Sequence, residues 1–213
     1  MSTQVETAHP RPRVEGVREV EILQAALEVL AEVGYDRLTM DAVALKAKAS
    51  KATLYRRWNG KVSLVIDALH HHHQHEGQSV PVDTGSLRGD LIESYCGTGG
   101  LTDKPEVAAF GAILTAIMRD PEFAAAFRRD VVAPKLAASR AIFERAIARG
   151  EIGPEVDIDL LAPALAGIVM HRLILVGELP TKELVTSVID QIILPAATAA
   201  GATAPSHKES DTK

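Results

Sequence analysis

An all-α chain of about nine helices is what this sequence predicts, and three observations carry that reading. Apolar residues recur at helical spacing through most of the chain, and no alternating strand pattern or internal repeat occurs. Hydrophobic residues make up 46% of the 213 positions but aromatics only 4%, so the core must be built from Ala, Leu, Val and Ile, which suit packed helices. Capping residues and Gly or Pro breaks then divide the chain into runs of helical length.

Residues 1–17 are polar, carry Pro10 and Pro12, and show no periodicity, which predicts a flexible arm. Its Arg11 and Arg13, with Arg18 just beyond, are either charges on an untethered tail or groups able to enter a minor groove. From Glu19 to Val33, Glu21, Gln24, Glu28 and Glu32 form a polar face, and Ile22, Leu23, Ala26, Leu27, Leu30 and Val33 an apolar one. Gly34 is a natural stop. Thr39 N-caps a short helix whose Met40, Val43, Ala44 and Ala47 share one face. Ser50 caps a second, Lys51 to Trp58, in which Leu54 and Trp58 stand i and i+4 and turn inward, leaving Thr53, Arg56 and Arg57 to point elsewhere. Two short helices joined by a few residues make the helix-turn-helix pattern, whose second helix lies in a DNA major groove. Asn59 and Gly60 close it. A connecting helix follows over residues 61–75, with Val62, Val65, Ile66 and Leu69 apolar. Lys61 at its start opposes the macrodipole, a poor choice for helix stability and a sensible one beside a phosphate.

Charge supports the same reading. No acidic residue lies between Ala42 and Ile66, a window holding Lys46, Lys48, Lys51, Arg56, Arg57 and Lys61. That window carries +6 in a chain of formal charge −5, so the remainder carries −11. A basic segment on an acidic protein reads as a footprint for phosphates.

Beyond a loop over Gln78 to Gly85, Ser86 caps Leu87 to Cys96 and the segment Gly97 to Gly100 breaks it. Lys104-Pro105 opens a helix from Glu106 to Arg119. Asp120 with Pro121 opens a long run to Gly150, which Pro134 should kink or split. Leu160 to Val176 is apolar on most sides apart from His171 and Arg172, so it must be covered on most sides. Thr181 to Leu194 follows, Pro195 ends or bends it, and residues 196–213 read as a disordered tail.

His70 to His73 with His75 form a cluster in which His71 and His75 stand i and i+4, a spacing able to chelate a divalent ion. Metal sensing through His70–His75 is therefore the alternative reading, and a pH-sensitive helix end a further one. The single Cys96 permits no intramolecular disulfide, fits a reducing compartment, and reads as a small buried apolar side chain. No uninterrupted apolar run reaches the ~18–20 residues of a membrane helix, so a soluble, cytoplasmic protein without membrane partners is expected. Nucleophile–base pairs, Gly-rich phosphate loops after a strand and clustered carboxylates are not evident, so neither catalysis nor a cofactor is expected.

The segment ASKATLYRRW, with ILQAALEVLAEVGY before it and NGKVSLVIDAL after it, resembles the N-terminal domain of the TetR family of bacterial transcriptional regulators. The matching features are a first helix closing on Gly34-Tyr35, Thr39 and Ser50 opening the next two, then Leu54-Tyr55, Trp58 and Lys61. Lys48 stands where the family usually has Gly. DPEFAAAF, RAIFERAIARGEI and the apolar final helix pair resemble the C-terminal domain of actinobacterial members. The resemblance implies a helix-turn-helix domain over 18–60, an effector-binding and dimerisation domain over 61–195, and a homodimer through 160–177 and 181–195 on a palindromic operator. It implies DNA contacts from Thr39, Lys48, Ser50, Lys51, Ala52, Thr53, Tyr55, Arg56, Arg57 and Lys61. A cavity for a small apolar or amphipathic effector would draw on Tyr95, Phe110, Leu114, Met118, Phe127, Phe143, Met170 and His171. The expected output is repression relieved by that effector.

Overall fold

A computed structural model describes residues 15–75, 83–97, 102 and 107–199, and among these every regular element is helical. The order is α1 (Glu15–Val33), α2 (Met40–Lys46), α3 (Lys51–Arg57), α4 (Lys61–His75), α5 (Leu87–Cys96), α6 (Val107–Arg119), α7 (Pro121–Phe127), α8 (Ala133–Ala148), α9 (Ile158–His171), α10 (Lys182–Val188) and α11 (Leu194–Ala199). Single π-helical turns at Arg128–Val132 and Ile189–Ile193 fuse α7 to α8 and α10 to α11, and a third at Arg172–Val176 extends α9. Among the described residues nine continuous helices result, the number the sequence predicts.

Two of those π turns explain how the prolines are tolerated. Pro134 and Pro195 each stand at the second residue of the α segment that follows a π turn. There the Ala133 and Leu194 N–H groups reach back five residues, to Arg128 O and Ile189 O. The shift in hydrogen-bond register absorbs a missing proline N–H without breaking the rod. Helix therefore runs through Pro195 to Ala199, so residues 196–199 of the expected tail are helical. At the other end α1 starts at Glu15, so residues 15–17 of the expected arm are helical too. The rest of that arm, with Arg11 and Arg13, lies outside the described residues, as do the remainder of the tail and Thr98 to Gly100.

The helices enclose two hydrophobic cores. The first joins α1 to α4 around Leu30, Leu54, Trp58 and Leu64, and takes in Ile113 and Ala116 of α6, Phe123 and Ala126 of α7, and Val131. The second joins α5, α8, α9, α10 and α11 around Leu91, Phe143, Leu165 and Ile189. The expected boundary after residue 60 does not follow these cores, because α4, α6 and α7 pack forward onto the helix-turn-helix unit. α9 and its π turn, Ile158–Val176, bury Ile158, Ala162, Leu165, Val169 and Leu173 at helical spacing. By length and composition alone this rod could cross a membrane, with mean hydropathy 1.7, which qualifies the expectation drawn from uninterrupted runs. Only 28% of it is buried, and Leu160, Ile174, Leu175 and Val176 stand exposed on its outer side.

Candidate DNA interface

The helix-turn-helix is built from local signals. The Thr39 hydroxyl accepts the Ala42 N–H at 3.1 Å, and the Ser50 hydroxyl accepts the Thr53 N–H at 3.1 Å, so each short helix has one of its orphan donors satisfied. Leu54 is fully buried, and Trp58 closes α3 with its indole N–H donated to the Asp67 carboxylate at 2.8 Å. With its inner face fixed in this way, α3 presents Lys51, Ala52, Tyr55, Arg56 and Arg57 to solvent, with Thr53 half-buried beside the Ser50 hydroxyl at 2.8 Å. Thr39, Lys48 and Ser50 are exposed next to it. Nine of the ten predicted contact residues are therefore exposed or half-buried on α3, in the turn before it or at the N-caps of α2 and α3, and Lys61 stands apart from them at the start of α4.

Lys61 is half-buried. Its ammonium stands 4.1 Å from the centre of the Tyr35 ring and donates to the Tyr35 carbonyl at 3.2 Å. The Tyr35 hydroxyl in turn donates to Asp120 at 2.8 Å, and Asp120 N-caps α7 through the Glu122 and Phe123 N–H groups. Those backbone donors, the Tyr35 hydroxyl and the nearby Lys61 charge hold the Asp120 carboxyl below the usual carboxylate range. Burial and the facing carboxylate push the Tyr35 phenol well above its ordinary value. A cation at the start of α4 is thus accounted for by a ring, a carbonyl and a carboxylate, so its unfavourable position on the helix dipole needs no phosphate to explain it.

The turn between α2 and α3 carries the one described non-glycine residue with positive φ, Lys48 at 50°. The Lys48 N–H bonds Leu45 O at 3.1 Å and the Ala49 N–H bonds Ala44 O at 2.8 Å. That pair is a Schellman motif with Lys48 at the left-handed C′ position, where glycine is preferred. The end of α8 uses the same motif, with Gly150 at φ 75°. Arg18 braces the strained turn from α1, donating to Lys48 O at 2.5 Å. Lys48→Gly is accordingly expected to stabilise the protein by about 0.5–1 kcal/mol and to raise Tm by about 1–4 °C in calorimetry. An unchanged or lower Tm would show that the turn is not strained.

Three of the six cations of the basic window already face carboxylates. Lys46 bonds Glu32 at 2.6 Å with Glu28 at 3.4 Å, Lys51 bonds Asp41 at 2.6 Å, and Arg57 bonds Glu19 at 2.8 and 3.2 Å. The hydrogen bonds that Lys46 donates to Glu32 and Lys51 donates to Asp41 raise the two lysine values. Among the described residues no carboxylate pairs with Arg56 or Lys48.

The predicted effector-lining residues divide between the two cores. Phe143 is buried in the second, with Tyr95 and Met170 packed against it. Phe127 packs on the first, its ring stacked 6.0 Å from Phe123. Phe110 and Leu114 are half-buried on α6. Met118 is 86% exposed and His171 is exposed, so neither lines an interior cavity of the protomer. The reason is helical phase: α6 turns Ile113 and Ala116 inward and α9 turns Val169 and Leu173 inward, and the two predicted residues fall on the opposite sides. Sequence reasoning missed Ser139, whose buried hydroxyl donates to Ala162 O at 3.2 Å and lies 3.2 Å from the Tyr95 hydroxyl. In the histidine cluster His70 is exposed and His71 half-buried, and the side chains of His72 to His75 lie outside the described residues. Among the described residues no three metal-ligating side chains converge.

Comparison with known proteins agrees with this geometry. Residues 22–68 match the profile described as "Bacterial regulatory proteins, tetR family", and residues 81–192 that described as "Tetracyclin repressor-like, C-terminal domain". An uncharacterized HTH-type transcriptional regulator of Mycobacterium tuberculosis is 36% identical over 202 residues, 92% of this chain and 96% of its own. The DNA-binding transcriptional repressor TetR of Mycobacteroides abscessus is 37% identical over 180 residues, 83% of this chain and 92% of its own. The solved structure of the TetR family transcription regulator SCO0332 superposes with a TM-score of 0.65 at 28% identity, over 84% of this chain and 97% of that one. With both halves matched in one order, this chain belongs to the TetR family of helix-turn-helix transcriptional regulators.

Proposed function

We propose that this regulator is a cytoplasmic repressor that holds a palindromic operator as a homodimer and leaves it when a small apolar or amphipathic effector binds. The observation that carries the proposal is the surface of α3, where Lys51, Ala52, Thr53, Tyr55 and Arg56 stand together on a helix locked from behind by Leu54 and Trp58. In this reading Thr53 and Tyr55 meet base edges, Lys51 takes either role, and Thr39, Lys48, Ser50, Arg56 and Arg57 hold phosphates. The exposed apolar side chains along α9 support dimerisation, because Leu160, Ile174, Leu175 and Val176 stand in solvent on a helix that is apolar on most sides. A two-fold dimer would set its two α3 helices about one DNA turn apart, ~34–36 Å, to fit a palindrome. In this reading the effector enters the second core, whose Tyr95 and Ser139 hydroxyls beside Phe143 and Met170 support it as the polar groups of an otherwise apolar site.

Fluorescence anisotropy with duplexes from the DNA flanking the protein's own coding sequence tests the proposal. Saturable binding that resists competitor DNA is expected, and its loss on adding the effector would identify that molecule. Arg56→Ala should weaken binding to every sequence and lower the salt slope by about one. An unchanged slope would remove Arg56 from the phosphate contacts.

A further inference from the structure

The cations at the two ends of α3 are held by carboxylates that belong to the DNA-binding unit itself. At its start, Lys51 Nζ lies 2.6 Å from Asp41 of α2. At its end, the Arg57 guanidinium donates to Glu19 of α1 at 2.8 and 3.2 Å. Lys51, Asp41 and Arg57 are exposed and Glu19 is half-buried, so the two pairs add little to folding. Their position makes them consequential, because they flank the surface that meets a polyanion. We propose that Glu19 and Asp41 are specificity-determining residues, which suppress binding to bulk DNA by holding Arg57 and Lys51 at the edges of the recognition surface.

Binding to bulk DNA is almost wholly electrostatic and independent of sequence. A phosphate approaching Lys51 or Arg57 must displace a carboxylate already within hydrogen-bond distance, and that carboxylate also repels it. The loose complex therefore loses a share of its main source of affinity. An operator complex is held by base contacts as well, so it loses a smaller share. The pairing also gives an operator complex a benefit. Arg57 is held by two hydrogen bonds to one oxygen and Lys51 by one, so their side chains are ordered before DNA arrives. Pre-ordering helps only a complex whose phosphates fall in a fixed register, which a base-read site provides and bulk DNA does not. Asp41 has a second role as an acidic residue in the first turn of α2, where it favours the helix dipole. That role affects stability and not discrimination.

The inference rests on operator binding as proposed above, and its test has separate arms for the two. Full-length wild type, Glu19→Gln and Asp41→Asn are titrated by anisotropy against a random-sequence duplex of about 30 bp and against the flanking operator duplex, at about 50 and about 200 mM salt. Glu155→Gln removes one negative charge on an exposed turn between Ile152 and Val156 of the second core, whereas α3 packs in the first, and serves as the control for net charge. Each α3-flanking variant is expected to bind the random duplex about 2–5-fold more tightly at low salt, with a smaller gain at high salt. The operator-to-random ratio should fall for both variants and stay constant for Glu155→Gln. Random-duplex affinity that is unchanged or lower would overturn the inference, and so would an equal rise in Glu155→Gln. Failure of the wild type to hold the operator duplex against competitor would instead count against the operator-binding reading, and the random-duplex arm would still test the two carboxylates.

Discussion

Asp90→Ala is expected to be among the most damaging single substitutions in this protein, costing about 2–3 kcal/mol. The Asp90 side chain is fully buried in α5. Its carboxylate accepts the Thr84 N–H at 2.6 Å, the Thr84 hydroxyl at 2.8 Å and the Arg149 guanidinium at 3.1 Å, with Arg145 at 3.7 Å. One side chain thus fixes the loop before α5, the start of α5 and the end of α8. Truncation would remove the buried acceptor of the Thr84 N–H and hydroxyl and one of three carboxylates around Arg149, which keeps Glu151 at 2.5 Å and Asp83 at 3.2 Å, so the cost comes mainly from the lost charge-assisted hydrogen bonds. Urea unfolding checks the magnitude, and a loss below about 1 kcal/mol would mean that water replaces the carboxylate.

The same group predicts an acid limb. Burial pushes the Asp90 carboxyl up, but the Thr84 N–H, the Thr84 hydroxyl and Arg149 together hold it below its ordinary value of 3.8. A carboxyl whose folded value lies below the unfolded one gives stability that is fully present above the unfolded value. That stability is lost as pH falls through the lower folded value. Asp90→Asn should therefore flatten the stability loss of the wild type below about pH 4, while lowering stability at about pH 7. Gly89 beside it has little room, since a Cβ there would lie 2.2 Å from the Thr84 hydroxyl, so a larger residue would displace the group that anchors Asp90.

The helix-turn-helix was legible in the sequence because its determinants are local. The Thr39 and Ser50 caps act within three residues, and Leu54 and Trp58 declare their side of α3 by spacing alone. The long helices were legible for the same reason. What the sequence did not disclose is which core each apolar face joins. Ile113 and Phe123 are plainly inward residues, but periodicity says that a face is covered and not by what, so α6 and α7 read as effector-domain helices when they cover the DNA-binding unit. Asp90 was missed although its place between Leu87 and Leu91 puts a carboxylate on a buried face. Charge marks Lys61 and Arg57 as basic, but their partners within the protein, Tyr35 and Glu19, lie 26 and 38 residues away, beyond any spacing argument. The π turns were equally hidden, since Pro134 and Pro195 signal a disturbance without saying that a register shift will absorb it.

Phe123→Ala is the complementary experiment, because it tests whether a residue of the second matched segment holds the first one together. The Phe123 ring is fully buried in the first core, 4.7 Å from the Tyr35 ring and 6.0 Å from the Phe127 ring. Truncating a buried phenylalanine costs about 3–5 kcal/mol, from lost transfer energy and the cavity left behind. For a chain of this length that corresponds to a fall in Tm on the order of 10 °C. The location of the damage is the sharper test. Tyr35 leads into α2, and its hydroxyl reaches the carboxylate that caps α7, so a cavity at Phe123 removes the packing behind both groups. Amide exchange should accelerate most in α1, α4 and the Tyr35 segment, while α9 and α10, in the other core, keep their protection. Acceleration confined to α7, or centred on α9 and α10, would show that the first core does not depend on α7. The predicted pattern would instead make the α6–α7 junction part of the DNA-binding unit, so that any displacement of α7 by an effector reaches α4 through direct packing and the Tyr35–Asp120 hydrogen bond.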